Sequence, residues 1–404
     1  MQQDSPTHSN HAIRWLTFMM FLMFAMTSDA VGVIIPTLIK DYNLSMTEAS
    51  AFHYAPMIMI ALSGLGLGFL ADKLGRKATI LIGLGLFALS CFLFAIGDSF
   101  AFFVVLLGLV GTAIGLFKTG AIALLGDIST TSKEHTKTMN QVEGFFAVGA
   151  IIGPAACSFM LAKGVSWTYL YVAAAVLCLL LIVVTAKASF PKPHTVVPSS
   201  VGFAQTLAAL KDPLALFFSL GIALYVATEV AIYVWMPTLL LDYQGDMTWL
   251  AAYALTLFFI LRAIGRFLAV WLLNQFRWQT VMVYLSAAIS LCYLATLIYG
   301  VNAAVFALPL CGLFMSMIYP TLNSKGISCF AKHQHGSIAG VILFFTAVAA
   351  AVAPFLMGVV SDHFGHVKYG FYLATGFAIG LFLLMLFNWL RDPSAAKLAP
   401  HALG

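Results

Sequence analysis

Long apolar runs separated by short polar segments recur along the whole chain. An α-helix rises about 1.5 Å per residue, so about 20 apolar residues cross the hydrocarbon core of a bilayer. Runs of this length predict an all-α membrane protein with twelve transmembrane helices. The predicted spans lie near 14–37, 49–71, 77–97, 102–126, 139–162, 166–188, 213–237, 248–273, 279–299, 302–322, 335–360 and 368–390.

Composition excludes most soluble classes of protein. Of the 404 residues, 62% are hydrophobic and 9% charged, against about 25% charged in an ordinary soluble domain. The net charge of +5 comes from scattered basic residues and forms no patch for nucleic acid. Neither a metal-type cysteine spacing nor a phosphate-binding loop is evident, so we expect no metal, no cofactor and no enzymatic activity.

Basic residues concentrate in the short loops on one side of the predicted spans. The positive-inside rule therefore places these loops and both termini in the cytoplasm, and we expect the membrane to be a bacterial inner membrane. Tryptophans lie near predicted span ends, as an interfacial belt would place them. The loops carry Lys73, Arg76, Lys77, Lys133, Lys137, Lys187, Lys192, Lys211, Arg277, Lys325 and Lys332; the tryptophans are Trp15, Trp167, Trp249, Trp278 and Trp389.

The two halves of the chain resemble each other. A linker rich in proline and serine, 187–212, separates a half over 1–186 from a half over 213–404, each with six predicted spans. The sequence PTLIKDY at 36–42 is echoed by PTLLLDY at 237–243. Such a repeat is typical of secondary transporters whose halves rock about a central site. It favours a transporter over a channel or a membrane enzyme.

The segment GFLADKLGRKATI (68–80) resembles the G-x-L-a-D-[RK]-x-G-R-[RK] signature of the major facilitator superfamily. The match falls between the second and third predicted spans, where that family carries the motif. The resemblance implies the major facilitator fold, two pseudo-symmetric six-helix halves, and a cytoplasmic latch whose charged contacts break during transport. The residues of this gate motif are Gly68, Asp72, Gly75, Arg76 and Lys77.

Three spans resemble the fucose permease-like sugar:proton symporters within that superfamily. They are the fifth (MNQVEGFFAVGAIIGP, 139–154), the seventh (YVATEVAIYVWMPTLLLDY, 225–243) and the tenth (GLFMSMIYPTLNSKGIS, 312–328). In that family an aspartate of the first span and a glutamate of the fourth serve substrate binding and proton coupling. Asp29 lies in the first span, but Lys118 stands about where the glutamate is expected. This reversal of charge favours an anionic solute over a neutral sugar.

Five charged residues fall inside predicted spans, where each costs at least ~2.5–3.5 kcal/mol and needs a partner, water or a function. Asp29 and Glu229 would carry a proton or contact substrate, or form structural salt bridges. Glu143 would join a charge network near the cytoplasmic end of its span, or extend to the interface. The five residues are Asp29, Lys118, Glu143, Glu229 and Arg262.

Lys118 has three interpretations. It could anchor an anionic substrate, release a proton as a coupling residue, or serve as an internal counter-ion for Asp29 or Glu143. Arg262 could bind a carboxylate or sugar hydroxyls, or pack as a cation directed toward the cytoplasm. Five polar residues would suit sugar recognition or hydrogen bonds between helices. These are Asn140, Tyr225, Thr228, Tyr319 and Asn323.

We expect a monomeric transporter in the lipid bilayer that uses the proton gradient to take up a small polar solute, such as a sugar or an anionic sugar derivative. The alternative is drug or metabolite:proton antiport (efflux). Its fifth-span signature ends in G-P-x-x-G, but Cys157 stands where the last glycine belongs. A non-transporting membrane sensor is a third hypothesis, which the intact gate motif disfavours.

Overall fold

The computed structural model describes residues 6–67, 74–128, 132–190, 211–330 and 335–398. Over these ranges every regular element is helical and no strand is present, which confirms the predicted all-α class. The helices before residue 190 are α1 (Pro6–Ser28), α2 (Val31–Tyr42), α3 (Met46–Ala49), α4 (Ala51–Leu67), α5 (Arg76–Leu93), α6 (Phe100–Ile128), α7 (Ser132–Ala162) and α8 (Thr168–Lys187).

The helices after residue 210 continue in the same manner. They are α9 (Pro213–Leu239), α10 (Thr248–Ala252), α11 (Ala254–Gln275), α12 (Trp278–Tyr299), α13 (Val301–Met315), α14 (Ile318–Ser328), α15 (His335–Phe364), α16 (Val367–Arg391) and α17 (Ala395–Leu398). Short 3₁₀ turns at Phe94–Ile96 and Leu240–Asp242 extend α5 and α9.

The chain forms two compact units. Unit 1 comprises Met1–Leu44 and Ala51–Val197, and unit 2 comprises Ser45–Ser50 and Pro198–Gly404. Most of the predicted linker 187–212 lies outside the described residues, so the predicted boundaries of the halves stay a prediction.

Eleven stretches of the described residues are long and apolar enough to cross a membrane. The predicted second span coincides with α4, which is 17 residues long and stops where the described range stops. The other eleven predicted spans each coincide with one of these stretches. The positions of the spans therefore follow from hydropathy alone.

Two predicted spans are broken helices. The first divides at Asp29 and Ala30 into α1 and α2. Ser28 and Asp29 are residue types of low helix propensity, and this favours a break there. The tenth divides into α13 and α14 just before Pro320, whose ring clashes with the carbonyl four residues earlier and which has no N–H to donate.

An aromatic cluster fills the core of unit 1 and corrects one expectation. Trp167 is only 5% exposed and packs edge-on against Phe94, Phe103 and Tyr171. The rings of Phe94 and Tyr171 stack with centroids 4.0 Å apart. Trp167 is therefore a core residue and not part of an interfacial belt, whereas Trp249 is 64% exposed.

Glycines let the backbones of α1 and α7 come into direct contact. A Cβ atom added at Gly149 would collide with the carbonyl oxygen of Leu22, and one added at Gly153 would collide with that of Met26. Small residues at helix contacts are typical of membrane bundles, where close packing replaces the hydrophobic effect. The two helices are parallel, because residue numbers rise together along both: Gly149 faces Leu22, and Gly153, four residues later, faces Met26.

In unit 2, Asp362 at the end of α15 caps the short helix α3. Its two carboxylate oxygens accept hydrogen bonds from the backbone N–H groups of Met46 and Thr47, each at 2.8 Å, and from the Thr47 hydroxyl. Ser45 and Glu48 complete a capping box at the same helix start. A carboxylate at a helix N-terminus satisfies donors that lack partners and faces the positive end of the helix dipole.

We predict opposite effects of alanine at two glycines of α7. Gly149→Ala should destabilise the protein by about 1–3 kcal/mol, because the methyl group enters a closed contact. Gly144 has no neighbouring atom within 4 Å of an added Cβ, so Gly144→Ala should stabilise it by about 0.5–1 kcal/mol through reduced backbone entropy. The melting temperatures of the two variants in detergent measure these changes in stability. Equal shifts of the two melting temperatures would contradict the close contact at Gly149 and the open space at Gly144.

Candidate functional site

The charged residues of unit 1 lie around Lys118 on α6. The Lys118 ammonium is over the rings of Phe21 and Phe24 on α1, 5.6 Å and 5.4 Å from their centroids. The carboxylates of Glu143 on α7 and Asp29 after α1 lie within electrostatic range of this ammonium. We call these five residues the Lys118 cluster. Two of its members, Phe21 and Phe24, were not singled out in the sequence.

The local fold places the members of this cluster at different depths. Phe21 and Phe24 lie one helical turn apart and therefore share a face of α1. Phe145 on α7 stacks on Phe18, with centroids 4.9 Å apart, so Glu143 lies nearer the start of α1 than the two rings do. Asp29 lies beyond them at the helix break. Lys118 is therefore placed between two carboxylates along the axis of α1.

Unit 2 contains a second charged group, centred on Glu229. Its Oε1 accepts a hydrogen bond from the Tyr225 hydroxyl at 2.6 Å and forms an ion pair with Arg262 Nη2 at 2.7 Å. Tyr225 and Glu229 are one turn apart on α9, and Arg262 lies on α11. The Glu229 side chain is 9% exposed and that of Arg262 is 21% exposed. A desolvated carboxylate thus has both a charged and a neutral donor.

Two further tyrosines lie beside this Glu229 group. Tyr319 on α14 has its ring 6.2 Å from that of Tyr225. Tyr293, which was not among the predicted site residues, is fully buried and donates from its hydroxyl to the carbonyl oxygen of Thr228 at 2.6 Å. That bond holds the backbone of α9 beside Glu229. Sequence patterns do not predict this hydrogen bond, because the acceptor of the Tyr293 hydroxyl is a backbone atom of another helix.

The other predicted polar residues have more local roles. The Thr228 hydroxyl donates to the Leu224 carbonyl of its own helix at 2.7 Å. Asn323 is half-buried one turn after Tyr319 on α14. Asn140 lies on α7, but its side chain is outside the described part of the chain. The structure therefore brings Tyr225 and Tyr319 to Glu229 and leaves the substrate roles of all five as predictions.

The gate motif is described in part. Gly75 precedes α5 with φ of +86°, a conformation that glycine adopts without steric cost. Lys77 donates to the carbonyl oxygens of Ala186 at 2.7 Å and Ala188 at 2.9 Å, and so caps the C-terminus of α8. Arg76 begins α5. Gly68 and Asp72 lie outside the described residues, so the predicted charged contacts of Asp72 stay a prediction.

Trp235, part of the seventh-span motif, connects two helices of unit 2. Its indole Nε1–H donates to the carbonyl oxygen of Pro354 on α15 at 3.1 Å. Trp235 is 1% exposed, and this bond satisfies its only donor. The motif residue thus fixes α9 against α15 and does not belong to the Glu229 group.

Comparisons with known proteins concern the family and the fold of the chain. The model of the Major Facilitator Superfamily matches residues 17–354. The L-fucose-proton symporter of Escherichia coli K12 is 25% identical over 388 residues, which cover 86% of each chain. The quinolone resistance protein NorA of Staphylococcus aureus is 34% identical over 158 residues, which cover 37% of this chain and only 38% of that protein.

A solved structure shares the fold at low sequence identity. It is a bacterial homologue of the human lysosomal transporter Spinster in an inward-facing, occupied conformation. That structure aligns with a TM-score of 0.77 at 13% identity, over 98% of this chain and 99% of the other. At this identity the likeness concerns the fold alone.

We predict that Glu229 and Arg262 stabilise unit 2 as a pair. Glu229→Gln or Arg262→Met should each cost about 3–5 kcal/mol, because either leaves a buried charge without its partner. The double variant should cost less than the sum of the two. The control is Arg277→Met, which breaks the Arg277–Asp392 pair whose arginine is 71% exposed; it should cost at most about 1 kcal/mol. Additive losses of melting temperature would contradict the pairing.

Proposed function

The chain belongs to the Major Facilitator Superfamily and is a multi-pass membrane transporter, and we propose that it takes up a small polar solute together with protons. The solute is a sugar or, by preference, an anionic sugar derivative. In this proposal the protein works as a monomer in a bacterial inner membrane with both termini in the cytoplasm. The proton gradient drives it, and it uses no cofactor.

The Lys118 cluster is the observation that carries this proposal. It combines the half-buried cation of Lys118 with the half-buried carboxylate of Asp29 and the exposed carboxylate of Glu143, all in helical stretches apolar enough to span a membrane. A proton that binds to either carboxylate removes a counter-charge from the ammonium, and an anionic group of the solute replaces it. Because the proton and the anion have opposite charges, their joint binding leaves the net charge of the cluster unchanged. Binding of the anion alone would add a second excess negative charge to a cluster whose Lys118 and Asp29 side chains are half-buried.

We assign solute recognition also to the Glu229 group. The guanidinium of Arg262, which is 21% exposed, and the ring of Tyr319 offer donors and an aromatic face of the kind that sugars bind. Glu229 keeps Arg262 oriented. The likeness to the L-fucose-proton symporter, which extends over most of both chains, supports uptake with protons.

Drug or metabolite:proton antiport is the second candidate. The similarity to the quinolone resistance protein favours it, as do Gly149 and Gly153 in α7. Against it stands Lys118, since a resident cation beside Phe21 and Phe24 repels a lipophilic cation that would approach the same rings.

Purified protein in liposomes tests the proposal with neutral sugars, uronates and small carboxylates, while internal pH and membrane potential are recorded. Uronate uptake should acidify the interior and should not depend on membrane potential, since one proton accompanies one negative charge. Uptake of a neutral sugar with a proton would instead rise with an inside-negative potential. Movement of lipophilic cations alone, against protons, would show that the protein is an antiporter.

Asp29→Asn tests the proton step separately. Without an ionisable group at the helix break, a pH gradient should no longer concentrate the solute above its external level, whereas exchange of internal for external solute should continue. Asp41→Asn is the matched control, because Asp41 is exposed near the end of α2. The Asp41→Asn variant should accumulate the solute to the same level as the wild type. Gradient-driven accumulation by Asp29→Asn at the wild-type level would remove Asp29 from the mechanism.

A further inference from the structure

Lys118 has surroundings that suit a free ammonium ion. Two aromatic rings present their faces to its ammonium at 5.6 Å and 5.4 Å, within the distance of about 6 Å at which cations are attracted to aromatic rings. Phe21 is 2% exposed and Phe24 is 5% exposed, so both rings are fixed by packing. The carboxylates of Glu143 and Asp29 add two negative charges. Aromatic faces with carboxylates are the chemistry by which proteins bind organic cations.

The cation in this site is part of the chain itself. The Lys118 ammonium is held at the end of four methylene groups from the backbone of α6, and its side chain is half-buried. An external cation would have to displace it and would meet its charge at the same time. An anion is attracted by the same ammonium, and a proton on one of the two carboxylates removes the negative charge that would otherwise oppose it. The one side chain therefore excludes cationic solutes and admits anionic ones.

We propose that Lys118 is a tethered occupant of a cation site made by Phe21, Phe24, Asp29 and Glu143, and that it thereby determines the charge of the solute the transporter accepts. This inference rests on the proposed function in treating the cluster as a place where solute binds. It goes beyond that function because it identifies a second, hidden ligand class. Removal of the lysine side chain converts the cluster into a site for primary alkylammonium ions.

The test uses full-length Lys118→Ala protein and n-propylammonium. This ion supplies the three carbons and the ammonium that the substitution removes. The measurement is the melting temperature in detergent as a function of ligand concentration, because a ligand that binds the folded state alone raises it in a saturable way. Lys118→Ala should show this rise with n-propylammonium and none with n-propanol, its neutral counterpart. Wild type and Lys118→Arg should show no rise with either compound.

A second substitution tests the aromatic part of the site. Phe24→Leu in the Lys118→Ala background should weaken n-propylammonium binding about ten-fold, as expected for loss of one ring face. If Lys118→Ala gives no monodisperse protein, Lys118→Ala/Glu143→Gln removes one charge of each sign and restores the net charge of the cluster. That double variant should bind n-propylammonium through Asp29 and the two rings.

The proposal is overturned if the folded variants bind n-propylammonium no more tightly than wild type, or no more tightly than n-propanol. It is also overturned if Phe24→Leu leaves the affinity unchanged. These binding results do not depend on transport. Failure of wild type to carry sugars or uronates in liposomes would overturn the proposed uptake function while saturable ammonium binding still upheld the cation site.

Discussion

A charge inside an apolar helix bundle has to be neutralised where it lies, since hydrocarbon offers neither water nor counter-ions. Both units obey this constraint in different ways. In unit 2, Glu229 and Arg262 neutralise each other directly at 2.7 Å, with Tyr225 as a further donor. In unit 1, Lys118 is shared between two carboxylates and two ring faces. The first arrangement is a closed pair, and the second has one negative charge in excess and can respond to a proton.

The electrostatics of unit 1 depend on how closely its helices pack. At Gly149 and Gly153 no side chain separates the backbones of α1 and α7, and this brings the helix that carries Glu143 against the helix that carries Phe21 and Phe24. A larger residue at either glycine would separate the carboxylate from the rings as well as loosen the bundle. The glycines that resemble an antiporter signature are therefore explained by packing, whichever solute the protein carries.

Hydropathy and charge were sufficient to predict the helical class, the positions of the spans and the five intramembrane charges, because each depends on residues adjacent in sequence. They did not predict the break after Ser28, since an average over some twenty residues is insensitive to one turn of backbone hydrogen bonds. Nor could they place Trp167, because a position near a span end does not reveal which side the ring faces. The choice between Asp29 and Glu143 as partner of Lys118 stayed open, since spacing along one helix does not give distances between helices. The spacing of Phe21 and Phe24, one turn apart, does predict that both rings lie on the same face of α1. Only the structure shows that Lys118 lies over that face.

The break between α1 and α2 has a mechanical consequence. The twelve residues of α2 form a rod about 18 Å long, joined to α1 through a turn that begins at Asp29. A change of about 10° at this joint displaces the far end of the rod by about 3 Å. The residue at this joint thus sets the direction of a whole helix, although its own side chain occupies only one turn of it.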